Sequence, residues 1–321
     1  MLRRLTAVAA VVAAVVALVA LGVGPASGQS GLSCLGWSDS ASVGMLDETF
    51  VSEASGLEVA SSGESLYLIN DSGDSGRFFL AGTDGGQTRA VGIRGPDPTD
   101  TEDMTLGRCP DDAGRCLFFA DIGDNEARRT SVKIVVVREQ ASFPPEVTPE
   151  RRFRVRYPDG PRDAESLAIH PNGDLFILTK MPDYAALRVS PSALYRIPYS
   201  DWAPDGVSEL VAEPFGELDL TAISSDPFSG SLATGMDISD DGARLLVLTY
   251  MNAFEFDVDL SAGSFPGVVD MVEGEDYREI ALQTLEQQES IAYLPSGDGF
   301  LYTTESGSSD GSPIMRVSCF R

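Results

Sequence analysis

Glu102, Glu165 and Glu289 stand at matching places in a recurring pattern. Each opens a short alternating stretch that runs through a turn into a second, more apolar stretch. Ser55 and Thr234 hold the same place in two further copies, and Asp71, Asp121, Lys180, Tyr250 and Glu305 close the second stretches. Carboxylates and hydroxyls form an all-oxygen donor set, which suits Ca2+ and, less well, the geometrically stricter Mg2+. Glutamates brought together repel one another unless a cation binds or one carboxyl keeps its proton. Glu102, Glu165, Glu289, Thr234 and Ser55 are therefore the expected metal ligands. Asp71, Asp74, Asp121, Asp124, Asn125, Lys180, Tyr250 and Glu305 are the expected ligand-binding rim, with Asp121 or Asp71 as base if the site is hydrolytic. The competing reading is structural: each glutamate caps a neighbouring backbone N–H or pairs with Arg128, Arg129 or Arg162. Lys180 among carboxylates reads as an ion-pair partner rather than a nucleophile.

The elements that must position these groups are β-hairpins. Glu165-Ser166-Leu167-Ala168-Ile169 leads through His170-Pro171-Asn172-Gly173 into Leu175–Thr179, and Glu289-Ser290-Ile291-Ala292-Tyr293 leads through Pro295-Ser296-Gly297 into Phe300–Thr304. The copies start at Ser55, Glu102, Glu165, Thr234 and Glu289, with gaps of 47, 63, 69 and 55 residues. Further strand-like runs lie between them, at Arg77–Leu80, Val132–Val137, Phe153–Tyr157, Ala193–Ile197, Phe254–Val258 and Arg278–Leu282. About four strands per repeat, with no long amphipathic helix, predicts an all-β single β-propeller of five blades. The two long gaps leave six open. A hairpin brings the start of its first strand and the end of its second to one end, so the repeat gathers the acidic positions at one mouth of a central channel. His170 falls in a turn at the other end.

The chain ends carry a second expectation. After Glu305 only one strand-like run remains, Pro313–Phe320, so the last blade lacks an outer strand that Cys34 to Phe50 could supply. Closing the ring with strands from both termini removes free sheet edges. Of the four cysteines, Cys109 and Cys116 flank a turn and are paired across their hairpin, which leaves Cys34 to bridge Cys319. Met1-Leu2-Arg3-Arg4, an apolar run to Val23, and small residues at Ala26 and Gly28 read as a leader over 1–28 cleaved before Gln29. The alternative is an uncleaved membrane anchor. The propeller domain then covers 29–321, exported to a compartment where disulfides persist.

Composition excludes several function classes. The 321 residues carry 49 Asp+Glu against 23 Lys+Arg, a net charge of −26, the reverse of what nucleic acid demands. With one histidine, His170, multi-histidine zinc sites are excluded.

Asn70-Asp71-Ser72-Gly73-Asp74, Thr101-Glu102-Asp103, Asp121-Ile122-Gly123-Asp124-Asn125 and the run from Tyr157 to Glu165 resemble a group of exported bacterial β-propellers, frequent in actinobacteria. That group is uncharacterised and loosely related to NHL/SMP-30-type and phytase-like propellers. The resemblance implies the fold and no assigned reaction. Three functions compete: an extracellular monomeric module binding a small molecule, glycan or protein; a metal-dependent phytase-like or lactonase-like hydrolase; and a structural part of a cell-surface assembly. Phytase-like sites surround phosphate with basic residues, and this chain has only two lysines, Lys133 and Lys180.

Overall fold

Alternating apolar strands become the inner halves of five antiparallel sheets in the computed structural model of the chain, which describes residues 34–305 and 311–320. The leader over 1–28 lies outside the described residues. Blade one runs Ala54–Val59, Ser65–Asn70, Arg77–Gly82 and Arg89–Ile93 from the axis outward. Blade two runs Asp103–Arg108, Arg115–Asp121, Val132–Arg138 and Arg151–Arg156. Blade three comprises Ala164–Ile169, Leu175–Thr179, Ser192–Ile197 and Glu213–Leu218, and blade four Ala233–Ile238, Arg244–Thr249, Asn252–Asp257 and Tyr277–Ala281. Blade five begins with Gln288–Tyr293, Gly299–Thr304 and Pro313–Phe320. Each inner strand packs against that of the next blade, including the fifth against the first, so the ring is closed at five.

The long gaps hold strands lent to the preceding blade and, in blade three's, a short two-stranded ribbon of Pro182–Asp183 and Arg188–Val189, rather than a sixth blade. Glu146–Val147, inside blade two's gap, pairs in parallel with the outer strand of blade one, and Glu209–Val211, inside blade three's, pairs in parallel with the outer strand of blade two. These additions satisfy backbone groups on edges that would otherwise be free. The last blade is completed from the N-terminus. Ala41–Met45 and Gly36–Trp37 both pair antiparallel with Pro313–Phe320. Cys34 and Cys319 are disulfide-bonded across this closure, as are Cys109 and Cys116 across their hairpin.

Apolar side chains fill the wedges between blades. Phe118, Ile134, Ile177, Tyr195 and Trp202 share one cluster, and Phe176, Phe215, Met236, Phe254 and Phe256 another. Each such side chain contributes roughly 1.5–3 kcal/mol on burial. Near the axis, hydroxyls join neighbouring inner strands: Ser55 Oγ donates to the Glu102 carbonyl (2.6 Å), Thr234 Oγ1 to that of Gln288 (2.9 Å), and Ser290 Oγ to that of Ala54 (3.2 Å). Among the described residues no helix is long and apolar enough to cross a membrane.

Candidate functional site at the acidic mouth

A strand that simply alternated would send adjacent residues to opposite faces, so the five mouth positions need a local device. The device is a β-bulge. In blades one, three, four and five the inner strand shifts register by one residue, and the unpaired residue is Ser55, Glu165, Thr234 or Glu289. Blade two does the same with a hydrogen bond: Ala120 is paired with Asp103 while its carbonyl also accepts the N–H of Glu102. A bulge bends the strand and re-aims the extra side chain.

The mouth these bulges build is buried and crowded with carboxyl groups. Glu102, Glu165 and Glu289 are each 4% exposed. Lys180 pairs with Glu165 at 2.5 Å and donates to the Tyr250 hydroxyl at 3.3 Å, which in turn donates to Glu289 Oε1 at 2.8 Å. This chain spans blades three, four and five. On the other side of the axis, Asp71, Asp100 and Glu102 each direct one carboxylate oxygen to a common spot, the three atoms lying within 4.8 Å of one another. Gly123 borders that spot closely. A Cβ there would collide with Glu102 Oε1 and Asp100 Oδ2, so glycine keeps the space between the carboxylates open.

Electrostatics follow from this geometry. Burial, then the charges of Glu165, Asp71 and Asp100, pushes the Glu102 carboxyl up to about 11. Burial, then Glu165 and Glu305, pushes Glu289 up to about 9. Glu165 rises only to about 7, because Lys180 opposes its burial. Asp100 rises to about 6 through burial and the nearby Asp71 charge. Asp71, Asp163 and Glu305 are also raised, chiefly by burial. Burial alone would depress Lys180, but Glu165, Tyr250 and Glu289 override it and hold the ammonium charged. Burial and like charge thus both favour the protonated form of the mouth carboxyls.

The remaining expected residues fall into distinct places. Asp121 has both oxygens engaged, by Arg129 (2.6 Å) and Lys133 (2.9 Å), and also accepts the Asp100 N–H at 3.1 Å. It orients Asp100 rather than facing the axis with a free oxygen. Asp124 accepts the Arg129 N–H and offers its own N–H to Asp163. Asp74 pairs with Arg77, away from the axis, and Asn125 is exposed. Glu305 accepts from Gln287 Nε2 at 2.6 Å and contacts Glu289. Arg128 and Arg162 pair with Glu126 and Asp159 rather than with the mouth glutamates. Ser55 and Thr234 donate their hydroxyls to neighbouring backbone, and Ser55 Oγ also reaches Glu102 Oε2 at 3.4 Å. Asp100 and Asp163 were not anticipated. Both belong to an acid-x-Glu pair, Asp100-Thr101-Glu102 and Asp163-Ala164-Glu165, a repeated signal present in the chain.

Comparison with known protein families and with curated proteins finds no match. Among solved structures, the chain is similar to a luciferin-regenerating enzyme, at TM-score 0.46 and 12% identity over 88% of this chain and 95% of that one. It is similar to a Thermus thermophilus protein described as a candidate oxidoreductase (glucose dehydrogenase), at TM-score 0.48 and 12% identity over 88% and 100%. A chain of a nidogen/laminin complex matches at TM-score 0.42 and 13% identity over 79% and 73%. Identities this low speak to the fold alone.

Proposed function

We propose that this protein is an exported β-propeller module that binds Ca2+ at the acidic mouth of its channel and presents it to a small molecule, glycan or extracellular partner. The observation that carries the reading is the trio of Asp71, Asp100 and Glu102 oxygens converging beside Gly123. These ligands are hard oxygens, and water or backbone carbonyls can complete the six to eight positions Ca2+ takes, roughly. Mg2+ fits less well, because it demands a stricter octahedron. Glu165 and Glu289, tied through Lys180 and Tyr250, would act as a polar wall facing a bound partner rather than as ligands. Export is supported by the two disulfides, which persist in oxidising compartments.

A metal-dependent hydrolase is the second reading, and the mouth offers it one feature: buried carboxyls with raised pKa values beside the trio. A bound divalent ion would polarise a phosphoryl or carbonyl oxygen there. Asp121, with both oxygens held by Arg129 and Lys133, and Asp71, a member of the trio, are both engaged, so the hydrolase reading lacks a free carboxylate base there. Calorimetric titration of metal-stripped protein tests the main reading. Wild type should bind Ca2+, and Glu102→Gln should bind it at least about tenfold more weakly, since affinity follows ligand charge. No binding up to about millimolar Ca2+, the weak end for extracellular modules, would end the reading. Ca2+-dependent turnover of a phosphomonoester, lactone or aryl ester, abolished in Asp71→Asn, would favour the hydrolase.

A further inference from the structure

The channel has a second end, built by the same five strands. Three residues after each mouth position stand Glu58, Thr105, Ala168, Asp237 and Ala292. A cavity of about 390 Å³ opens beside Glu58 and Asp237, on the side of the His170 turn. That volume is of the size that encloses a small organic molecule. Val59, Ile169, Ile238 and Leu294 give it apolar walls.

Its polar groups are fixed and unequally compensated. Glu58 accepts the N–H groups of Val59 (2.7 Å) and Leu106 (2.9 Å), and Asp237 those of Ile238 (2.7 Å) and Tyr293 (2.8 Å). Each carboxylate is thereby held rigid, with lone-pair capacity to spare. Two guanidiniums share the cavity, but Arg115 is paired with Asp240 at 2.9 Å and Arg108 with Asp112 at 2.6 Å. The charge of Arg115 also acts on Glu58 and Asp237, but four carboxylates, Glu58, Asp112, Asp237 and Asp240, face two guanidiniums, so the cavity keeps an excess of negative charge. Burial, then the charge of Asp237, raises the Glu58 pKa against the opposing pull of Arg115.

We propose that this cavity binds a small organic cation, its ammonium group seated between Glu58 and Asp237 and its compact hydrocarbon body against Val59, Ile169, Ile238 and Leu294. The site is distinct from the acidic mouth and does not depend on a metal there. The apolar wall selects against hydrated inorganic cations, and the charged floor against neutral molecules of the same shape.

Cyclohexylammonium is the probe, with cyclohexanol as its neutral counterpart, titrated into the full folded chain in the presence of Ca2+ and followed by calorimetry and saturation-transfer NMR. The amine should bind, and the alcohol at least about tenfold more weakly, as expected when a charge-assisted hydrogen bond is lost. Asp237→Asn should weaken amine binding by a similar factor. Pro171→Trp places a large side chain at the exposed rim without touching the floor, and should abolish binding while the protein stays folded. Glu102→Gln should leave amine binding unchanged. Equal affinity for amine and alcohol, binding that survives Pro171→Trp, loss of binding in Glu102→Gln, or no binding to folded wild type would each overturn the proposal.

Discussion

Raising the pH in the absence of metal perturbs the mouth most directly. Glu102 and Glu289 are held near 11 and 9 in the folded protein, whereas a glutamate in an unfolded chain titrates near about 4.3. Between those limits the folded state keeps a proton that the unfolded state releases, so stability falls as pH rises. Each group contributes a slope of about 1.4 kcal/mol per pH unit. Both groups act in this direction from about pH 5.5 to about pH 8.5, so the loss accumulates across the window. Glu165, raised to about 7, steepens the lower half of that window. A divalent cation substitutes for the protons, so its stabilising effect should grow with pH. At about 100 times its dissociation constant a ligand contributes about 2.7 kcal/mol, several degrees of Tm for a chain of this size. Differential scanning calorimetry in EDTA should therefore show Tm falling across the window, and Ca2+ should flatten the fall. Glu102→Gln mimics the protonated acid. Near about pH 8.5 in EDTA it should melt at or above wild type, and it should lose the Ca2+ response. Comparing the variant with wild type cancels the general repulsion of a chain with net charge −26. A metal-free Tm that stays flat or climbs over the window would refute the reasoning, as would a Glu102→Gln variant that melts lower yet still responds to Ca2+.

Three further outcomes are expected. Gly123→Ala drives a methyl group into Glu102 and Asp100, so calorimetric Ca2+ binding should be lost and chemical denaturation should show a cost of about 1–3 kcal/mol from overpacking. Cys34→Ser with Cys319→Ser opens the closure bridge, whose partners are 285 residues apart, and should cost about 5–6 kcal/mol of stability in the chain-entropy picture, read as a lower denaturant midpoint; removing the Cys109–Cys116 bridge, separated by seven residues, should cost less on the same assay. Lys180→Met leaves Glu165 buried without its partner, costing about 3–5 kcal/mol at neutral pH as for other broken buried pairs, and lowering the pH to protonate Glu165 should recover much of the melting temperature.

Much of this molecule was legible before any coordinates. Strand alternation has period two, and a hairpin repeated from Ser55 to Glu305 can bury its apolar faces only by stacking against copies of itself, so repetition alone implied a ring of similar sheets. The missing outer strand of the last blade and the outlying cysteines implied how the ring is sealed, because an unpaired edge is costly and both chain ends were available to cover it. Five against six blades was not decided at that level. The long gaps are filled by Glu146–Val147 and Glu209–Val211, which pair with the preceding blades, and pairing between segments distant in the chain leaves no periodic trace.

The site divides in the same way. Residue type placed Glu102, Glu165 and Glu289 at equivalent positions, and their convergence follows from the repeat. Which acids form a common oxygen cluster depends on bulges that turn single side chains and on partners drawn from other blades. Asp121 is engaged by Arg129 and Lys133, while Asp100, two residues before Glu102, takes the place beside Asp71. Local sequence determines which faces are apolar and where the turns come, because those preferences act over a few neighbouring residues. Burial, charge compensation and the space left by Gly123 arise only when five separate segments meet at one axis, and tertiary structure alone decides them.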